Sequence, residues 1–425
     1  MGVVGDLWSI VKDIGKTAGT IVAKTAIVLK DNKGNIVDFV NTIFDVLRPS
    51  SKGDGTGFNE FKVSMVAPSG FGKTTLLVTI MNDASNYLDN PSAGLKVGYK
   101  DSDDEKRIKE AQKSLSNAIL AGKEGFTRAV DTKLLGTSEV KKFDFYYRLS
   151  NGAENIDQPF SIMDIPGGWI NPNNRITAEM NAKWEDFKNH LHDSRLLFVP
   201  IDATLLMEAT SKAEREAAVA LLDVNNTGEL IKEWAKYRKE SNKSSTLIFV
   251  PIKCEKYRSK ETFLINKVKD FYASIATEAR TILPSISMYC IPLESLGCVE
   301  FSKAKWCTDK GSESFSPSFK LVEDRIQKTR NANTLFAMMY HMAEEEIKEV
   351  LDHTDEQLKK ASTLGKLLSP KVKEMSKTMD AIKTLLEPMR RSLREYGNID
   401  RMGSYQIFWS PVTGRLSLFR PTSIL

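Results

Sequence analysis

Cysteine and histidine are scarce in this chain, with four of each in 425 residues. Cys254, Cys290, Cys298 and Cys307 form no C-x-x-C pair, which argues against a zinc site, and free thiols fit a reducing cytosol. His190, His192, His341 and His353 fall in charged, helix-patterned stretches with no Ser/His/Asp arrangement around them. "NHLHD" is a poor metal pair, because residues two apart do not share a helix face. No apolar run reaches the ~18 residues that a membrane-crossing helix requires. The first residues show no signal-peptide pattern, and Asp6 breaks the N-myristoylation motif that Gly2 would open. Charge of one sign is also missing: 60 basic residues face 55 acidic ones, without basic–aromatic interleaving, so nucleic acid is not an expected partner.

What is present suits an ordinary folded protein. The chain is 41% hydrophobic and 27% charged, enough for a sizeable core, and its length fits one large α/β domain with helical additions. Residues 1–57 read as a helical hairpin and linker. Its apolar spacing is interleaved with Lys12, Lys16, Lys24 and Lys30, and diluted by Asp6, Asp13, Asp31, Asp38 and Asp45. Residues 1–48 therefore fit either two packed helices or a peripheral anchor on a membrane surface. Location is expected to be cytoplasmic, with peripheral membrane attachment as the alternative.

Residues 58–301 alternate short apolar runs with helical stretches, as a doubly wound sheet does. The expected strands are "FKVSMVA", "KKFDFYYRL", "FSIMDI", "RLLFVPID", "STLIFVPIK" and "SMYCIPL". An insert at about 82–126 carries a charged helix between Asp101 and Ala121. Residues 302–425 read as a helical extension. "AKWCTDKGSESFSPS" is expected as a loop, followed by a long helix through Leu335 and Met342. Val372, Met375, Met379, Ile382, Leu386, Met389 and Leu393 then form a heptad stripe. The stripe suits either an intramolecular hairpin or a partner surface for self-assembly or another protein. "YQIFWSPVTGRLSLF" reads as a terminal β-hairpin.

The chemistry concentrates at strand ends. "APSGFGKT", Ala67 to Thr74, follows an apolar strand and precedes an apolar helix start. It meets the G-x-x-x-x-G-K-[ST] pattern except that Ala67 replaces the opening glycine. Such a loop turns main-chain N–H groups toward phosphate oxygens, because its glycines tolerate positive φ. Ser69, Gly70, Phe71, Gly72, Lys73, Thr74 and Thr75 are the expected nucleotide contacts, with Lys73 on the β- and γ-phosphates. Thr74 and Asp164 are the expected Mg²⁺ ligands. Asp164 closes "FSIMDIPGGW", and Gly167 would offer its N–H to the γ-phosphate; the same residues also make an ordinary Asp-initiated turn. Ile252-Lys253-Cys254-Glu255 occupies a later strand end. There Lys253 would lie along a guanine and Glu255 would accept its protons, although Ile252 departs from that pattern and leaves ATP open.

"APSGFGKTT", "DIPGG" and "PIKCEKY", in this order, resemble the TRAFAC-class P-loop GTPases, and in particular the bacterial double-GTPase-type domains associated with biological-conflict systems. The resemblance spans roughly residues 60–301. It implies a Ras-like sheet, Mg²⁺ and GTP as cofactor and ligand, and a nucleotide-controlled switch or assembly role. It also implies a switch I threonine: Thr137, with Thr127 and Thr132 as rivals. Gly168 stands where many such enzymes carry the water-orienting Gln, which implies slow hydrolysis or none, as in a nucleotide-loaded scaffold. Arg128, Arg148 and Arg175 are the candidate charge stabilisers.

Overall fold

The structure, a computed structural model, describes residues 60–88, 95–121, 140–150, 155–241, 244–309, 312–322, 328–345, 348, 394, 396–397 and 406–408. The N-terminal hairpin, Thr127, Arg128, Thr132, Thr137 and the heptad stripe lie outside the described residues.

Eight strands form one sheet in the order β10-β7-β6-β5-β1-β4-β3-β2. They are β1 (Phe61–Met65), β2 (Leu95–Tyr99), β3 (Lys141–Ser150), β4 (Asn155–Asp164), β5 (Leu196–Asp202), β6 (Thr246–Ile252), β7 (Ser287–Cys290) and β10 (Gln406–Phe408). The five central strands, β7, β6, β5, β1 and β4, run parallel. β3 and β2 extend one side antiparallel, and β10 closes the other. Every residue of β5 and of β6 is buried, as expected of strands covered on both faces. All six strands expected from sequence are present.

Helices cover the two faces. α1 is Lys73–Leu88 and α2 is Ser102–Ala121; α3 (Ala178–Asp193), α4 (Ala203–Glu208) and α5 (Lys212–Leu221) follow. α6 is Val224–Ser241, α7 is Glu261–Ile282, and α8 spans 332–345. Alternation along the strands assigns the layers. Ser64 and Ser161 point to α3, where His190 bridges them at 3.0 Å on either ring nitrogen. Phe160 points the opposite way, joining Tyr147, which packs on Phe336 and Tyr340 of α8. His190 is thus buried in a polar network, close enough to Lys62, Lys142, Glu60 and Asp193 to feel their charges. Burial pushes its pKa down to about 3, so it stays neutral.

The expected loop at "AKWCTDKGSESFSPS" is corrected by the structure. β8 (Val299–Asp309) and β9 (Ser312–Leu321) form a separate antiparallel hairpin, which also spans the boundary drawn at residue 301. Phe315, Pro317 and Phe319 alternate inward between outward serines, and a two-stranded ribbon leaves room for a proline without a ladder N–H. β2 was not among the expected strands. α1 continues to Leu88, past the expected start of the insert at 82, and the charged helix is α2. Of the expected terminal β-hairpin, residues 406–408 pair with the edge of β7, and the rest lies outside the described residues.

Candidate functional site

β1 leads into Val66, whose N–H donates to the Phe198 carbonyl on β5 at 2.9 Å. The backbone then leaves the sheet, and α1 begins at Lys73. Gly70 and Gly72 have φ of +81° and +61°, the left-handed region that disfavours side chains. Ala67 has no positive φ, so alanine at the opening position carries no backbone strain. Ser69 and Gly70 form an exposed tip, while Phe71 is buried and Thr75 half-buried. Among the described residues nothing accepts from the N–H groups of Ser69, Gly70, Phe71 or Gly72. The free first-turn amides of α1 continue this rim of donors, and the helix adds its positive end.

Lys73 is buried behind the rim, with Nζ donating to the carbonyls of Ala67 at 3.0 Å and Pro68 at 3.3 Å. Burial lowers its pKa, and the nearby Asp164 opposes the shift. Asp164 ends β4, adjacent to β1. The Thr74 hydroxyl donates to Asp164 Oδ2 at 2.8 Å, across 90 residues of sequence. The Asp164 side chain is fully buried and its second oxygen, Oδ1, has no hydrogen-bond partner among the described residues. Burial raises its pKa, with Lys73 and Thr74 pulling the other way. An unmet buried acceptor costs about 1–3 kcal/mol, more when charged. A hydroxyl and a carboxylate side by side, one oxygen unspent, are a hard-cation ligand pair.

Beyond Asp164 the chain runs back against the loop. A Cβ added to Gly167 would come within 2.1 Å of Pro68 C and Ser69 N, so only glycine permits this approach. Gly167–Ile170 forms a short 3₁₀ turn that buries Trp169. Ser69 to Thr75, Asp164 and Gly167 are therefore brought to one place.

No protein-family model matches this chain, and no curated protein does. The site's chemistry is carried by its own atoms.

The ends of β5, β6 and β7 differ in character. Lys253, at φ +58°, donates to Asp202 Oδ2 at 2.9 Å in a largely buried ion pair. Asp202 Oδ1 accepts from the Thr204 N–H and hydroxyl and from the Leu205 N–H, capping α4. Burial pushes the Asp202 carboxyl up, but Lys253 and Thr204 outweigh it and hold the pKa low. Glu255 is turned inward, where the N–H groups of Leu296, at 3.4 Å, and Gly297 face its carboxylate. Burial, opposed by these amides and reinforced by Glu294, lifts its pKa to about 7. Glu294 is clamped by Arg258 and Arg330. Ile252 packs on the loop at Gly72, its Cδ1 2.6 Å from where a Cβ on Gly72 would lie. Lys253 thus stands at the expected strand end with its ammonium engaged, and the Glu255 carboxylate faces the protein interior.

The arginine candidates are engaged as well. Arg148 forms a two-pronged contact with Asp157, at 2.7 and 2.6 Å. Asp157 lies seven residues before Asp164 on an extended strand, roughly 23 Å away. Arg175 stacks over Trp184, 4.0 Å from the ring centroid, and donates to the Trp169 carbonyl. Asp202 escaped sequence reading, although it ends an apolar strand just as Asp164 does.

Proposed function

We propose that the protein binds a Mg²⁺–nucleoside triphosphate on residues 67–75, hydrolyses it slowly and acts as a nucleotide-controlled switch or assembly factor. The observation that carries this reading is the contact between Thr74 and Asp164 with Asp164 Oδ1 left unmet. The two oxygens fit a magnesium ion, whose remaining positions would go to water and phosphate oxygens. Bound there, the ion would neutralise phosphate charge. Lys73 would turn from the Ala67 and Pro68 carbonyls to the β- and γ-phosphates, and the amides of Ser69 to Gly72 would donate to the anion. The strand order, with β3 the antiparallel neighbour of β4 and both motifs at the ends of adjacent parallel strands, agrees with a Ras-like P-loop arrangement.

Switching has a physical route in both directions from the site. Gly167 presses on the loop, so a γ-phosphate beside it would bias the segment that follows. α1 grows out of the loop, and its Asp83 accepts from Thr329 at 2.6 Å and from Tyr396, which ties the site to the C-terminal extension. Thr137 remains the expected second γ-phosphate contact.

GTP is the nucleotide that the resemblance implies. The inward carboxylate of Glu255 and the apolar Ile252 favour a second reading, in which the base is held without guanine selection and ATP also binds. Among the described residues no helix is long and apolar enough to cross a membrane. Titration of the intact protein with Mg–GTP, wild type against Lys73→Ala, tests the site. The loss of a buried charged donor predicts roughly 10- to 100-fold weaker binding. Full affinity and turnover in the variant would reject it.

A further inference from the structure

Residue 168, where an amide side chain is expected to orient the attacking water, is glycine. The space beside it is not empty of amide. The Asn174 Nδ2 group donates to the Gly168 carbonyl at 2.8 Å, and it lies 3.7 Å from where a Cβ on Gly168 would sit. Six residues along the chain thus return a carboxamide to the position that the missing side chain would occupy. We propose that Asn174 is the water-orienting group of this site, an inference that rests on the triphosphate reading above.

The turn that presents Asn174 is held by its own hydrogen bonds. The Asn171 side chain accepts from Asn173 N at 3.0 Å, and Asn174 N and Arg175 N donate to the carbonyls of Asn171 and Pro172, each at 3.1 Å. Arg175 anchors the far side through Trp184 and Trp169. Asn181 holds the exit, donating to the carbonyls of Arg175 and Thr177. Only Asn174 of this group turns its amide back to Gly168, whose neighbour Gly167 touches the phosphate loop. With Nδ2 spent on the Gly168 carbonyl, the amide is held in one orientation. Its oxygen, an acceptor with no proton to give, suits a water O–H.

In the step itself the water oxygen forms a bond to the γ-phosphorus while the bond from that phosphorus to the β–γ bridging oxygen breaks. The products are the nucleoside diphosphate and inorganic phosphate, and the water's protons pass to phosphate oxygens and solvent. Asn174 accepts one hydrogen bond from the water and exchanges no proton, so its contribution is positional.

Single-turnover hydrolysis of Mg–GTP and Mg–ATP by the intact protein, with parallel binding titrations, tests this. Asn174→Ala is expected to slow hydrolysis roughly 10- to 100-fold at unchanged triphosphate affinity. It should also weaken the diphosphate–fluoroaluminate mimic of the transition state by a similar factor, leaving the diphosphate alone unaffected. Gly168 has no positive φ and faces open space apart from Asn174, so adding Gly168→Gln to Asn174→Ala should restore much of the rate. Unchanged hydrolysis in Asn174→Ala overturns the inference, as does wild-type protein that binds triphosphate without turning it over. A rate loss that Gly168→Gln leaves in place also overturns it, because a merely structural loss would not be rescued by an amide. Failure of the wild type to bind any triphosphate sinks the underlying reading instead.

Discussion

The two ends of the candidate cleft treat polar groups in opposite ways. At the loop end the amides of Ser69 to Gly72 and the buried Oδ1 of Asp164 have no partner among the described residues. At the ends of β5 to β7 the charges of two groups are already paired, Lys253 with Asp202 and Glu294 with two arginines, while Glu255 is buried and held toward its neutral form. A buried carboxylate oxygen is normally satisfied, so Asp164 Oδ1 stands out at the first end in a way that the paired charges of the second do not. The difference teaches that unspent main-chain donors and a carboxylate oxygen gather at one end, where the proposed nucleotide site lies. At the other end the Lys253 ammonium and the Glu294 carboxylate are already engaged by protein partners.

The comparison can be broken most forcefully at Gly167. A Cβ there meets main-chain atoms that cannot swing away, and overpacking of this kind costs about 3 kcal/mol. Gly167→Ala should therefore melt roughly 6–12 °C lower. Gly168→Ala, with ordinary contact distances around it, should melt like wild type. Equal melting temperatures by circular dichroism would mean that the close approach at the loop end is wrong.

A second test sharpens the other end. Glu255 keeps its proton in the folded protein up to about 7, against a model-compound value of 4.5. The folded state therefore binds more protons between these values. Its contribution to stability is complete below about 4.5 and is lost as pH rises through about 7. The loss amounts to about 3 kcal/mol for a shift of this size. Denaturant melts from pH 4.5 to 8 should show the decline in wild type and a flatter profile in Glu255→Gln. Parallel profiles would mean that the carboxylate is solvated. The smallest expected effect is on base choice. Competition between Mg–GTP and Mg–ATP should give affinities within about tenfold, less than a buried pairing partner provides. Glu255→Gln should leave the ratio unchanged, whereas a large guanine preference abolished by that substitution would restore the carboxylate's role at the base.

Much of the sheet was legible because burial on both faces leaves its mark on composition. "LLFVPID" and "TLIFVPI" are continuous apolar runs, and α2 shows its charged periodicity between Asp101 and Ala121. "LKVGY" hid because β2 is five residues long, carries a lysine and a glycine, and pairs on one side only. "SESFSPSFKL" hid behind serine and proline, although alternation of Phe315, Pro317 and Phe319 was there to be read. At the candidate site, the tight turn through Gly70 and Gly72 ahead of Lys73 and Thr74 was legible because positive φ favours glycine within a few consecutive residues. The orientation of Glu255 was not, since nothing near "KCEKY" announces that the amides of Leu296 and Gly297 lie beneath it.

By itself, the order of residues determined the local chemistry: which positions tolerate positive φ, which strand ends carry a carboxylate, and where a lysine follows a glycine. Those properties are written within a few consecutive residues, because steric freedom and side-chain type are local. Only the tertiary structure decided which of those groups meet. Thr74 touches Asp164 because β1 and β4 lie side by side, Gly167 leaves room for Pro68 and Ser69, and an asparagine six residues away stands over Gly168. Such contacts depend on strand order and on the path of a turn, which no short window of sequence contains.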